Sequence, residues 1–235
     1  MRIAVVSDLH LGAGDATERC VHSDATLLAW FDELEACHEQ VFLLGDVWET
    51  LTDPALPGAS RRALDQARRA HSGLAARFER PVYRHFTGNH DPVTRALGAR
   101  EHVVLDLHGD RYLFLHGDVL DPHLRPWLTD LGLYLGGWLL RMGLEETFRA
   151  FEAGVAHRDE GEGAHPGDAS PFQRAALAMA ERTGADVIVT GHTHLACILG
   201  TGRAIYANSG AALSHEVSWL SLDTRTGRIE RCRRL

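Results

Sequence analysis

The sequence predicts an α/β fold built on a mixed sheet or two packed sheets, and three features carry that expectation. Strand-length apolar runs alternate with helical-period runs through the first half of the 235-residue chain. Strand-like runs then follow one another towards the C-terminal end. Five short polar blocks each close an apolar run: Ser7-Asp8-Leu9-His10, Gly45-Asp46-Val47-Trp48-Glu49, Gly88-Asn89-His90-Asp91, His116-Gly117-Asp118 and Gly191-His192-Thr193-His194. Ligands of open α/β sheets gather beyond the carboxyl ends of strands, which is where these blocks stand.

Taken in order, Ile3–Val6 is the first buried strand. Leu27, Leu28, Phe31 and Leu34 recur at helical spacing, with Ser23 or Asp24 as the cap. Val41–Leu44 is a second buried strand. Arg61 to Phe78 is rich in Ala and Arg, lacks Pro and β-branched residues, and reads as one exposed helix with Gly73 as its only glycine. Val82–Phe86 is a third strand, and Val103–Leu107 and Tyr112–Leu115 flank Gly109-Asp110, a hairpin turn pair. Pro122 to Ala156 reads as helical and strongly apolar, and Asp159 to Gly167 as a mobile loop. Ser170 then caps a helix, Pro171 suits its first turn, Gln173 completes a capping box, and Gly184 stops it. Val187–Val189, Ala204–Ala207, Val217–Leu222 and Arg228–Cys232 are the remaining strands, the last two around Thr226-Gly227. The expectation is one domain over 1–235, with an inserted helical lid and mobile loop at 122–167.

Composition narrows the function. A net charge of -8 argues against a nucleic-acid binder held by a broad basic surface. Anionic substrates remain compatible, because bound cations reverse the sign locally. All 24 basic residues are arginine, which reads as codon bias rather than selection for phosphate forks. Cys20, Cys37, Cys197 and Cys232 form no C-x-x-C pair and read as free thiols. The chain enters a strand run at once, without a basic leader or cleavage site. The most apolar stretch, Trp127 to Leu144, is broken by Thr129, Asp130, several glycines and Arg141 and is a poor membrane span. Gly12-Ala13-Gly14 lacks the third glycine and helix start of a dinucleotide loop.

The blocks supply the chemistry. Asp8 and His10 are two apart, so in an extended segment both side chains face one way and reach one ion. His192 and His194 repeat that spacing. Asp46 has two oxygens with which to bridge two ions, Asn89 offers an amide oxygen and His116 a nitrogen. This mixed oxygen and nitrogen set suits Mn, Fe or Zn better than Ca or a thiolate-seeking metal. Two adjacent ions clamp the attacking and leaving oxygens of an in-line displacement at phosphorus, so the set points to phosphoester hydrolysis.

The series D-x-H, G-D-x-x-E, G-N-H-D, H-G-D and G-H-T-H, from Asp8 to His194, resembles the calcineurin-like metallophosphoesterase superfamily. The resemblance implies a four-layer sandwich of two mixed β-sheets flanked by helices, with a helical cap insertion. It implies that Asp8, His10, Asp46 and His194 hold one divalent metal and that Asp46, Asn89, His116 and His192 hold a second. Mn is the first expectation, with Fe or Zn as alternatives, and Asp46 and a water or hydroxide would bridge the pair. It gives His90 the task of donating a hydrogen bond or proton to the phosphoryl or leaving oxygen, with Glu49 as its acidic partner. Asp91 would bond a nearby backbone group or histidine, and Asp118 would orient His116. Asn208-Ser209-Gly210 resembles an Asn-x-Gly segment that follows G-H-x-H in relatives and reads as a packing and turn feature.

The insertion bears on the substrate. Leu124, Trp127, Leu128, Leu131, Tyr134, Leu135, Trp138, Leu139 and Met142 give more apolar surface than one amphipathic stripe needs. They read as helices packed on the core, as a dimer seam, or as a lid that accepts acyl chains. A helical insertion after H-G-D and the G-D-x-x-E block are similar to the bacterial UDP-2,3-diacylglucosamine hydrolases. His90 stands where the best-known of those enzymes carry Arg, and instead matches general phosphatases and phosphodiesterases and a variant subgroup of lipid-A-type enzymes. His123, Trp127, Leu131 and Trp138 are the candidate substrate contacts, while His22, His85, His157, His165 and His215 read as surface or core residues. The expected partner is a phosphorylated small molecule or lipid-linked nucleotide, and the expected location is cytoplasmic, with peripheral contact at the inner membrane. A nuclease and a non-enzymatic metal-bound scaffold are the competing readings.

Overall fold

A computed structural model describes residues 1–55, 57–121, 125–144, 146–147, 169–200, 202–213 and 215–234. In chain order its elements are β1 (Arg2–Val6), α1 (Asp24–Cys37), β2 (Gln40–Leu44), α2 (Arg61–Ala70), α3 (Ser72–Phe78), β3 (Tyr83–Phe86), β4 (His102–Leu107), β5 (Asp110–Leu115), α4 (Pro126–Arg141), α5 (Pro171–Thr183), β6 (Val187–Thr190), β7 (Cys197–Gly200), β8 (Ile205–Asn208), β9 (Val217–Asp223) and β10 (Arg228–Arg234). Short 3-10 turns lie at Pro92–Leu97 and Asp118–Leu120.

Alternation along the strands builds the layers. Ile3 and Val5 of β1 join one core, while Ala4 and Val6 join another. Phe42 and Leu44 of β2 point with Ile3, and Val41 and Leu43 point away. In β5, Tyr112 and Phe114 meet that same central core, and Leu113 and Leu115 enter a third. Strands covered on both faces read as unbroken apolar runs, which is why the alternation is invisible in the sequence. The strands form two five-stranded mixed sheets, ordered β10-β9-β1-β2-β3 and β4-β5-β6-β8-β7. The central core lies between the sheets; α1, α2 and α3 cover the first sheet, and α5 covers the second. The arrangement is the four-layer sandwich that the motif series implied. Each large side chain buried in it contributes about 1.5–3 kcal/mol.

Local signals hold well at two helices. Ser23 caps α1 by accepting from Thr26 N. In α5, Ser170 Oγ accepts from Gln173 N at 3.1 Å, and Gln173 Oε1 accepts from Ser170 N at 2.8 Å. The four cysteines are free thiols. The hairpin turn falls one residue early, on His108-Gly109, because Asp110 already pairs with Leu107. The four-residue strand β7 was not expected, being too short to show a period.

The single exposed helix expected over Arg61 to Phe78 is two helices, α2 and α3, broken at His71. It is also not exposed, since Leu64, Ala67, Leu74 and Phe78 are buried. The break has a polar cause. His71 Nδ1 lies 2.6 Å from Asp24 Oδ1, and its Nε2 lies 3.1 Å from Glu18 Oε2. Hydrogen bonding to Glu18 leads, burial opposes, and Asp24 adds to the rise; together they lift the His71 imidazole from 6.5 to about 9. The folded state therefore holds this proton more tightly than the unfolded chain. The stabilisation is whole below about pH 6.5 and is lost as pH rises through about 9. Urea unfolding of wild type should weaken over that window, and His71→Ala should flatten the decline. An unchanged pH slope in the variant would contradict the assignment.

Among the described residues, no helix is long and apolar enough to cross a membrane. The helix α4 is fastened beside the first sheet's loops by Arg141, whose Nη2 donates to Thr52 O at 2.8 Å and lies 3.4 Å from Asp15 Oδ2. Trp127, Leu131 and Trp138 are exposed on it. His123, Leu124 and the loop expected at Asp159 to Gly167 lie outside the described residues.

Candidate metal centre

The five blocks meet at the carboxyl ends of β1, β2, β3, β5 and β6, but not through strand alternation. Asp8 (φ 56°), His10 (φ 47°), Asp46 (φ 51°), His192 (φ 72°) and His194 (φ 62°) all adopt left-handed backbone conformations. The extended geometry expected for Asp8-Leu9-His10 and His192-Thr193-His194 is thereby corrected. In the first pair, two left-handed residues leave Asp8 Oδ1 and His10 Nε2 3.8 Å apart; in the second, His194 faces Asp8 and His192 faces Asn89. Such conformations cost roughly 1–2 kcal/mol each for a residue with a Cβ. Of the six non-glycine residues with positive φ among the described residues, only His108, in the hairpin turn, lies outside the site. Strain concentrated in this way marks a place where surrounding structure over-determines the backbone.

Backbone bonds lock the blocks together. His10 N donates to Asp46 O at 3.0 Å, Gly191 N to His116 O at 2.9 Å, and His192 N to Asp8 Oδ2 at 3.1 Å. Two glycines permit the approach. A Cβ on Gly88 would fall 2.7 Å from Asp46 N, and one on Gly191 would fall 2.7 Å from Asp8 Oδ2. Asn208 Nδ2 donates to Gly191 O at 2.6 Å and to Thr193 Oγ1 at 3.1 Å, so the Asn-Ser-Gly segment pins the G-H-T-H turn.

Side-chain distances define two adjoining clusters. His10 Nε2 is 3.8 Å from Asp8 Oδ1, and His194 Nε2 is 3.3 Å from the same oxygen. Asp46 Oδ2 lies 3.8 Å from His10 Nε2 and 3.2 Å from His116 Nε2, between the clusters. Asp8 Oδ1, His10 Nε2 and His116 Nε2 are buried without a hydrogen-bond partner. Buried polar atoms left this way are costly unless something occupies the space between them.

The orienting bonds say what that something is. His116 Nδ1 lies 2.9 Å from Leu44 O, and a carbonyl only accepts, so Nδ1 donates and a neutral ring turns the lone pair of Nε2 inward. Asp118, expected to orient His116, sits in the following turn, and Leu44 O takes that part. His192 Nε2 is 3.1 Å from Asp121 Oδ2, which leaves Nδ1 facing Asn89 Oδ1 at 3.0 Å. Two acceptors at that distance suit a shared cation or proton. The residues therefore fit divalent metal. Burial would push Asp8 and Asp46 up, but the surrounding histidines, His194 and His116 foremost, hold both below the usual carboxylate range. Burial would lower His10, but Asp8 and Glu49 lift it to about 9; Asp46 lifts His116 against its burial. Protons offset the carboxylates here, and metal binding at such ligands releases protons.

A third group adjoins the clusters. His90 Nδ1 is 2.8 Å from Glu49 Oε2, and His10 Nδ1 is 3.4 Å from the same oxygen. Burial would raise the Glu49 carboxyl, but His90 and His10 hold it well below its ordinary value. An ionised carboxylate only accepts, so His90 donates from Nδ1 and leaves Nε2 free for other work. Asp91 bonds backbone groups. Its carboxylate accepts from Gly88 N at 2.7 Å, Val47 N at 2.9 Å and Trp48 N at 3.3 Å, tying the second and third blocks together. Burial and the charge of Asp46 lift Asp91 to about 7.

Four neighbours were not anticipated. Asp121 orients His192, Leu44 O orients His116, Phe172 stacks on His192 with ring centroids 5.9 Å apart, and Arg19 Nη1 lies 3.9 Å from Glu49 Oε2. Only Asp121 left a trace in the sequence, as a second carboxylate one short turn after Asp118.

Residues 1–196 match the family described as calcineurin-like phosphoesterase. No curated protein matches significantly. Solved structures similar to the chain include Yfce, a phosphoesterase from E. coli, at 17% identity over 99% of this chain and 98% of that one, with a TM-score of 0.45. They also include an archaeal phosphodiesterase, at 13% identity over 100% of both chains with a TM-score of 0.49. Vps29 from Chaetomium thermophilum is another, at 16% identity over 99% of this chain and 97% of that one, with a TM-score of 0.49. Assignment rests on the sequence match, which spans all five blocks and supports a metal-dependent phosphoester hydrolase: the chain belongs to the calcineurin-like phosphoesterase family.

Proposed function

We propose that the protein is a dinuclear metal-dependent phosphoesterase that cleaves a phosphoester or pyrophosphate bond. The observation that carries this reading is Asp46 Oδ2, buried 3.8 Å from His10 Nε2 and 3.2 Å from His116 Nε2. Asp8, His10, Asp46 and His194 would hold one ion, and Asp46, Asn89, His116 and His192 the other. When bound, such a pair lowers the pKa of a water and offsets the charge of the phosphoryl oxygens. His90 meets the phosphoryl or leaving oxygen through Nε2, and Glu49 fixes the ring and stabilises its protonated form. Asp91 holds the Asp46 and Asn89 turns in register. The oxygen and nitrogen donors favour Mn, with Fe or Zn as alternatives.

For the substrate, α4 supports a lipid-linked nucleotide of the UDP-diacylglucosamine kind. The side chains of Trp127, Leu131 and Trp138 are exposed on a helix fastened to Thr52, three residues beyond Glu49. In this reading α4 belongs to a lid formed by residues 122–167, and the protein is cytoplasmic with peripheral membrane contact. His90 favours a second reading, a general phosphomonoesterase or phosphodiesterase. The net charge of -8 weighs against a nuclease.

The test is a panel with Mn-loaded protein: UDP-diacylglucosamine, cyclic nucleotides and chromogenic phosphate esters. Hydrolysis of at least one class is expected. Trp127→Ala and Trp138→Ala should raise KM for the acylated substrate several-fold and leave a small chromogenic ester nearly unchanged. No turnover of any member would overturn the hydrolase reading, and equal losses on both substrates would reduce α4 to packing.

A further inference from the structure

The inner face of β10 changes character along its length. Arg231 pairs with Leu220 of β9, and Arg233 with Ser218; residues paired in this way share a face of the sheet. Leu220 lies in the core between the sheets, and Ile229 packs against that core. The strand therefore brings an apolar side chain to the seam and then, on the same face, two arginines. Where the arginines stand the seam is not filled. A cleft of about 380 Å³ remains, lined by Arg231, Arg233, Leu195, Leu213 and His194. The His194 side chain is 38% exposed, and its Nε2 lies 3.3 Å from Asp8 Oδ1, so the cleft and the metal centre share a wall.

The walls are held in place. Arg231 donates from Nη1 to Ala196 O at 2.9 Å, which ties β10 to the turn that carries His194. Ser218 Oγ accepts from Ala211 N at 3.0 Å and donates to Ala211 O at 3.1 Å. Gly210 leaves no room for a Cβ, which would fall 2.9 Å from the Cβ of Ala196. Apolar sides with a few fixed polar groups are the usual build of a small-molecule site.

Charge indicates what such a site receives. The chain carries a net charge of -8, yet the charged side chains of the cleft are two arginines and one glutamate, Glu216, whose Oε2 lies 3.8 Å from Arg233 Nη1. Divalent ions at the neighbouring centre add to the same sign. A clamp on Ala196 O needs only one neutral donor, and it has no use for a second arginine two residues on. A guanidinium offers several N–H donors in a planar fork that matches phosphate oxygens. At this volume the cleft also has room for the organic body that carries the anion.

We propose that the cleft is a substrate subsite for a second phosphate group, carried a few bonds from the scissile one, with Arg231 gripping it and Arg233 adding charge. The substrate class is then an organic compound with two phosphate groups, one of which meets the metal centre. The subsite deepens the phosphoesterase reading above and rests on it. The test is calorimetric binding to full-length, Mn-loaded protein of terminal bisphosphonates with propyl, butyl and pentyl chains, each beside the alkylphosphonate of the same chain. Their C–P bonds resist hydrolysis, so binding is read apart from turnover. Wild type should bind the best bisphosphonate about 10- to 100-fold more tightly than its monophosphonate, the gain from charge-assisted bonds to one further anion. Arg231→Ala should lose that advantage, and Arg231→Lys should keep part of it. Arg231→Gln, which keeps a donor for Ala196 O, should lose it as well, and it decides the matter if Arg231→Ala melts early or sheds Mn. No advantage in wild type overturns the proposal, and so does an advantage that survives in Arg231→Gln. Equal weakening of both compounds also overturns it, because Arg231 would then only prop the His194 turn. An advantage that depends on Arg231 in a protein that hydrolyses no phosphoester keeps the subsite and removes the hydrolase reading instead.

Discussion

His90→Ala should lower kcat by about 10²–10⁴-fold, the range typical of a lost general acid, while the protein keeps its full metal content. The geometry separates the two readouts. His90 N is tied to Asp46 Oδ1 at 2.8 Å through the backbone, which the substitution leaves intact. The ring meets Glu49 through Nδ1 and packs edge-on against His10 with centroids 4.5 Å apart. Elemental analysis alongside steady-state kinetics checks both halves. Metal loss in His90→Ala would show that the ring is a ligand, and wild-type turnover would show that it does no chemistry. Glu49→Gln should reproduce part of the loss, because an amide fixes the ring without favouring its charged form.

Asp46→Ala should abolish measurable turnover and bound metal together, because one carboxylate serves both clusters. It should also destabilise the protein after chelation. His10 and His116 would then face each other's charge without the carboxylate that lifts both, and breaking a buried ion pair costs about 3–5 kcal/mol. Urea unfolding in chelator measures that cost. Retained metal at wild-type stoichiometry would rule out Asp46 as the shared ligand.

The ligand identities were legible because each block is local. A strand end, a glycine and a polar side chain fall within five residues, and the order of blocks survives any fold that places strand ends side by side. The capping box at Ser170 and Gln173 was legible for the same reason, since all its atoms lie within one turn. What the sequence hid depends on partners far along the chain. Nothing near Asp8, His10, His192 or His194 announces a left-handed backbone; contacts from Gly45, Asp46, His116 and Asn208 impose it. His71 looks like an ordinary residue inside a good helix until Glu18 and Asp24 are placed beside it. Asp118 was the natural partner for His116 by proximity, but the carbonyl of Leu44, 72 residues earlier, reaches the ring first.

Anomalous diffraction from a crystal soaked with Mn tests the central claim most directly. Two peaks per chain are expected, sharing Asp46 Oδ2, one bounded by Asp8, His10 and His194 and the other by Asn89, His116 and His192. A single peak remote from Asp46, or none at saturating Mn, would contradict it.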